Sequence, residues 1–365
     1  MLDPVPAATL VLTALLSLPL SLPLAGSAGP SLTAAAAAAG RPPECSLRTR
    51  RPLGRGPTVW ERARIPSLQR YCDLIARAHA QLATDPRAAR DAAVLAAKEL
   101  PGHAAPAVVH ARALLALGSA TDAAPLFEQA RKLDPRSVED PSTMYDLART
   151  LRLTGKHEDA LVVYRALVPR LDLLGPADRR VATLLEAAHV AMAVAAAPPA
   201  NAKDAKDEAR ARLDEAAAYL REARLRPPGQ LTGDVLLSLA LVLDRSGDRA
   251  LADAALDSAS EVGARTHASS YLVAEEDALA LDALSLERSD PATASARWQA
   301  FLGGKGGKGP WASAAQARVA RLGTTARTAP RAAATAPRRP GAAAQAPAAA
   351  GRPAAAPVSG KGKQP

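Results

Sequence analysis

Residues 104–135 read AAPAVVHARALLALGSATDAAPLFEQARKLDP. Two apolar patterns of helical period lie on either side of Gly118 and Ser119. The first carries Ala111 among Val108, Leu114 and Leu115; the second carries Ala123, Phe127 and Ala130, four and three residues apart and so on one helix face. Pro135 then stops the second helix, because its ring cannot continue the hydrogen-bond ladder. The unit is a helix, a tight turn and a helix, with a small residue where the two must cross.

The pattern repeats in both directions. Moving 34 residues upstream gives Ala89, Ala93, Ala96 and Pro101 in the places of Ala123, Phe127, Ala130 and Pro135. Downstream, STMYDLARTLRLTGKHEDALVVYRALVPRLD offers Ala148, Gly155, Ala160, Tyr164 and Leu167. A later unit places Ala240, Gly247, Ala252, Leu256 and Ala259 at the same spacing. Between them lies a distorted unit, with Ala216, Leu220, Ala223 and Pro228 in register after a long connection at 197–208. A sixth pair is expected from SSYLVAEEDALALDALSLE and PATASARWQAFLGG, carrying Ala294, Trp298 and Phe301, and the short helix WASAAQARVARL then caps the stack.

This small–aromatic–small second helix resembles the tetratricopeptide repeat, and the likeness covers about 70–322. The resemblance implies an all-α, right-handed α-solenoid of stacked helix-turn-helix repeats, with a concave side lined by the first helix of each pair. The composition agrees: hydrophobics are 48% of the 365 residues but aromatics only 3%. Such a chain packs helices closely over Ala and lacks the β-branched and aromatic residues of a large sheet.

Charge divides the chain. From Pro291 to Pro365 there are twelve Lys/Arg and no Asp or Glu. Arg41–Arg70 is also basic, with eight Arg against two Glu, so the middle of the chain is acidic. The expected organisation is a signal peptide at 1–28, a basic and largely irregular lead-in at 29–65, a solenoid of about six repeats and a cap at 66–322, and a disordered Ala/Pro-rich tail at 323–365. The run ATLVLTALLSLPLSLPLAGSAG ends in small residues, with a cleavage point after Ala28, and Pro19 and Pro23 break the helix that a membrane span wants. A periplasmic or secreted protein is expected, with no transmembrane span in the mature chain; an uncleaved anchor or a low-complexity N-terminus is the alternative. Cys45 and Cys72 are the two cysteines, and an even pair near the start of an exported chain suggests one disulfide.

No catalytic motif, metal site or cofactor site is expected. GGKGGKG at 303–309 never meets the Gly-x4-Gly-Lys-Ser/Thr spacing, and no buried strand precedes it. The six histidines form no short metal-ligand pair, and Glu275, Glu276 and Asp277 read as a solvated helix face. A binding groove is the stronger expectation. Arg112 and Arg149 follow the packing residues Ala111 and Ala148 in consecutive units, with Tyr145 and Arg152 nearby, so guanidinium groups could grip carboxylates of a protein or peptide partner. The Lys and Asn set of carboxylate-gripping repeats is not found in full, so that specificity does not carry over. The function expected is a non-enzymatic interaction scaffold in the bacterial envelope. The alternative is a tether whose basic tail holds an anionic polymer or lipid surface. The tail has no interleaved aromatics, which disfavours nucleic acid.

Overall fold

The structure is a computed structural model of the full chain, and it describes residues 42–46, 59–197, 205–227, 229–264 and 271–328. Fourteen α-helices lie within these residues. A single turn, α1 (Pro43–Ser46), precedes α2 (Val59–Gln81) and α3 (Pro86–Glu99). Then follow α4 (Ala104–Ala116), α5 (Ala120–Leu133), α6 (Pro141–Leu153) and α7 (His157–Leu167). The distorted unit is α8 (Ala177–Ala196) with α9 (Ala205–Arg224), and the next is α10 (Thr232–Arg245) with α11 (Arg249–Glu261). The last are α12 (Glu276–Leu286), α13 (Pro291–Gly303) and α14 (Ala312–Thr328).

Neighbours in sequence pack as antiparallel pairs, and each pair packs on the next. The first helices α2, α4, α6, α8, α10 and α12 also touch one another from pair to pair, which the second helices scarcely do. One row is therefore more tightly spaced than the other, and the stack curves with the first helices on its inner side. The repeat register holds throughout: Ala89, Ala123, Phe127, Ala160, Tyr164, Ala216, Leu220, Ala252, Ala294 and Trp298 are all buried. One core cluster runs continuously from Ala104 to Leu322.

Two local devices repeat with the helices. At the turn after α4, Gly118 has φ +83°, a conformation that a Cβ disfavours. Ser119 N–H reaches back to Leu114 C=O at 2.9 Å and Gly118 N–H to Leu115 C=O at 3.0 Å, closing a Schellman cap. The same pair of bonds recurs at Gly155 and Gly247. Helix starts use Asp-Pro. Asp85, Asp140 and Asp290 each accept a backbone N–H through the side chain, while the proline behind them needs no donor at that position. Proline thus marks beginnings here as much as ends.

Several expectations are corrected. Inside the span expected as the lead-in, α2 begins at Val59 and runs through Pro66, which costs it one internal hydrogen bond. The final helix continues six residues past 322, to Thr328. The first helix of the sixth pair starts at Glu276, and Tyr271–Glu275 stay outside it. Asp277 does not belong to a solvated face; it is buried against Arg245, at 2.5 and 3.2 Å. The GGKGGKG segment forms a 3-10 turn at Lys305–Lys308. A Cβ on Gly306 would stand 2.5 Å from the Phe301 ring, so glycine is needed there for close packing rather than for phosphate binding. The leader at 1–28, most of the connection at 198–204, Pro228 and the tail beyond 328 lie outside the described residues.

Candidate functional site

The inner row is where polar chemistry concentrates, because from α4 to α12 each first helix is tied to the next by a polar contact set into Ala-rich packing. Arg112 on α4 pairs with Asp146 on α6 at 2.6 Å. Glu186 on α8 accepts from the hydroxyls of Tyr145 (3.3 Å) and Tyr164 (2.7 Å) and faces Arg152 at 3.7 Å and Arg149 at 4.0 Å. His189 on α8 meets Ser238 Oγ on α10 at 3.0 Å. Arg245 on α10 holds Asp277 on α12 and lies over the Trp311 ring, 5.1 Å from its centre. Arg318 on α14 closes the series between Asp244 at 2.7 Å and Glu287 at 2.8 Å. Most of these groups are buried, so each pair neutralises a charge or satisfies a donor that the apolar packing would otherwise penalise.

His189 and Ser238 match a nucleophile and its base in distance alone. Ser238 is fully buried, so its hydroxyl is closed to solvent, and the His189 ring is held between that hydroxyl and the Tyr271 ring, 5.1 Å away. Burial pushes the His189 pKa down to about 4, which keeps the ring neutral. Among the described residues no group of three His, Cys, Asp or Glu side chains could hold a metal ion.

At the other end of the inner row the helices part. Residues of α2, α4, α6 and α8 line an open cleft of about 360 Å³, with His79, Leu82, Arg112, Asp146, Arg149 and Arg179 around it. Arg112 and Asp146 cancel each other, and the other cationic side chains on the lining are Arg149, 4.0 Å from Glu186, and Arg179. Arg149 is half-buried and its Nε makes no hydrogen bond; Arg179 is exposed and stacks over the Tyr145 ring, 5.9 Å from its centre. The pKa of His79 on the cleft wall is pushed below its ordinary value, by burial first and by Arg112 second.

Of the four residues expected to face a partner, Arg149 reaches this cleft directly and Arg112 reaches it already paired. Tyr145 and Arg152 lie beneath, committed to Glu186. Arg179 carries no sign in the sequence, because its position one turn into α8 has no repeat register to mark it. At the N-terminal end, Cys45 and Cys72 form a disulfide, with Cα atoms 5.7 Å apart, which fastens α1 to α2. Tyr71 donates to Glu44 across the same junction at 2.5 Å. No described helix is long and apolar enough to cross a membrane.

No protein-family model matches the chain, and no curated protein matches it. Solved structures are similar in part. One is a kinesin light chain of Podosopora anserina with nearly identical TPR-like repeats: 20% identity over 56% of this chain and 99% of that one, TM-score 0.37. The flexible tandem repeat domain of a bacterial cellulose synthase component is 20% identical over 72% of this chain and 98% of its own, TM-score 0.23. The TPR domain of P58(IPK) is 13% identical over 70% and 77%, TM-score 0.23. The internal repeat and the pairing of its helices make the chain a solenoid of tetratricopeptide-like repeats.

Proposed function

We propose that the protein is a non-enzymatic scaffold of the bacterial envelope that receives a protein or peptide partner on its inner surface. The cleft between α2, α4, α6 and α8 carries the reading, because it is open, lies on the inner row, and is lined by Arg149, only 4.0 Å from its nearest carboxylate Glu186, and by the exposed Arg179. Guanidinium groups held on helices and backed by a buried tyrosine are suited to carboxylates or backbone carbonyls of a partner. Placement outside the cytoplasm is supported by the leader-like run before Gly29 and by the Cys45–Cys72 disulfide, since such bonds persist in oxidising compartments.

The test is isolation of the protein with its partners from its host after cross-linking, for three forms. These are the native chain, the Arg149→Glu/Arg179→Glu form, and a form with the outer-face change Arg131→Glu. The inner-face form should lose the recovered partner while the outer-face form keeps it. Equal recovery by all three would refute the inner-surface reading. A chain ending at Thr328 separates the scaffold from the tether: loss of envelope association with that form would favour binding through the basic tail.

A further inference from the structure

The inner surface is open at the cleft but covered further along, and what covers it is the chain itself. Tyr271–Glu275 precede α12 and belong in sequence between the fifth and sixth pairs. The Leu272 carbonyl nevertheless accepts a hydrogen bond from Arg152 on α6, in the third pair, at 3.2 Å. Helices of the inner row pack chiefly on their immediate neighbours, and α8 and α10 lie between α6 and α12 in that row, so this contact reaches past both. On the way, the Tyr271 hydroxyl donates to Asp234 on α10 at 2.6 Å, and its ring lies 5.1 Å from that of His189 on α8. Tyr271 is 3% exposed, and Leu272 and Val273 pack partly buried against the main core.

We infer that Tyr271–Glu275 is an intramolecular ligand of the inner channel, an autoinhibitory strap seated where a partner peptide would otherwise lie. Three features of its seat are those of peptide recognition. A main-chain carbonyl is held by a guanidinium, an aromatic side chain fills a pocket, and its hydroxyl is read by a carboxylate. The receiving groups all come from first helices, the row that also lines the open cleft. The strap therefore divides the channel. Arg149 and Arg179 stay open at one end, while Arg152, His189 and Asp234 are occupied at the other. A longer partner gains the second half only by displacing the strap. Its seat selects a bent, non-α-helical segment with an aromatic hydroxyl one residue before the carbonyl taken by Arg152. The seat is held by hydrogen bonds, a ring contact and apolar burial, all made by a five-residue segment outside any α-helix.

The inference does not require that an external partner be known, because the strap's own sequence is the probe. A fluorescent peptide, SSYLVAEE (residues 269–276), is titrated by anisotropy against the native chain and against Tyr271→Gly. The variant should bind the peptide at least ten-fold more tightly than the native chain, and the same peptide with Phe at the tyrosine should lose most of that gain. Equal affinity for both proteins, or no binding to a variant that keeps its helical circular dichroism, overturns the inference. Should Tyr271→Gly fail to fold, amide hydrogen exchange on the native chain decides. A strap releases 271–275 faster than the amides of α10; exchange only together with α10 would make the segment ordinary core and refute the proposal.

Discussion

Glu186 sits where two tyrosine hydroxyls and two guanidinium groups converge, within packing made largely of Ala and Leu. Its removal leaves Arg152 buried with its principal counter-charge gone and both phenols short of an acceptor. We expect Glu186→Ala to cost about 3–5 kcal/mol, the range for breaking a buried ion pair from one side. Denaturant unfolding would show it, and a loss below about 1 kcal/mol would mean that solvent reaches the site. His189 makes a separate prediction. Its folded pKa of about 4 lies below the ordinary 6.5, so as pH falls the unfolded chain takes up a proton that the native state refuses. Its contribution to stability is full above pH 6.5 and declines between 6.5 and about 4, by about 3 kcal/mol in all. His189→Gln should flatten that part of the profile, measured by melting temperature at about pH 7 and about pH 4.5. Identical slopes in both proteins would contradict the assignment.

Individual helices are legible where a register repeats and illegible where a residue has a unique partner. Ala123, Phe127 and Ala130 announce a packed face by spacing alone, and all three are buried. Asp277 carries no such mark: a carboxylate in a run of three looks solvated until Arg245, 32 residues away, is placed against it. The strap is hidden for a related reason. Tyr271–Glu275 has helical composition, and only the long-range contact with Arg152 explains why it stays out of α12. The Asp-Pro pairs are visible as letters, but the repeat pattern makes proline a stop, whereas Asp85, Asp140 and Asp290 make it a start. At the terminal element, α14 is docked by Arg318, which is 2% exposed between Asp244 and Glu287. Arg318→Ala strands two buried carboxylates, and a loss of about 3–5 kcal/mol is expected, felt first as faster hydrogen exchange in α14. Unchanged exchange there would show that the cap is held by its apolar face alone.

Across the whole molecule, stability is distributed along a stack in which each pair contacts mainly its neighbours, so damage at one end should leave the other folded. The Cys45–Cys72 bond anchors α1 to the first pair, and its loss is expected to cost about 3–4 kcal/mol on the chain-entropy view of a loop this size. Cys45→Ser/Cys72→Ser should therefore lower the first unfolding transition while leaving the region of α10 to α14 unaltered. A uniform shift of every transition would instead indicate one cooperative unit. Repeat number and curvature follow from the sequence because they rest on periodic burial. The cationic cleft does not, because Arg179 enters it from the distorted fourth pair, where the spacing changes.

Partners are expected to dock on the row of first helices at the open cleft. Site-specific photo-cross-linking in the host tests it most directly, with the reactive side chain placed in turn at Ala83 and Ala116 in the cleft and at Leu95 and Val162 on the exposed faces of α3 and α7. A discrete adduct is expected from the two cleft positions, absent from the two outer ones and abolished by Arg149→Glu/Arg179→Glu. Adducts from the outer positions with none from the cleft would contradict it.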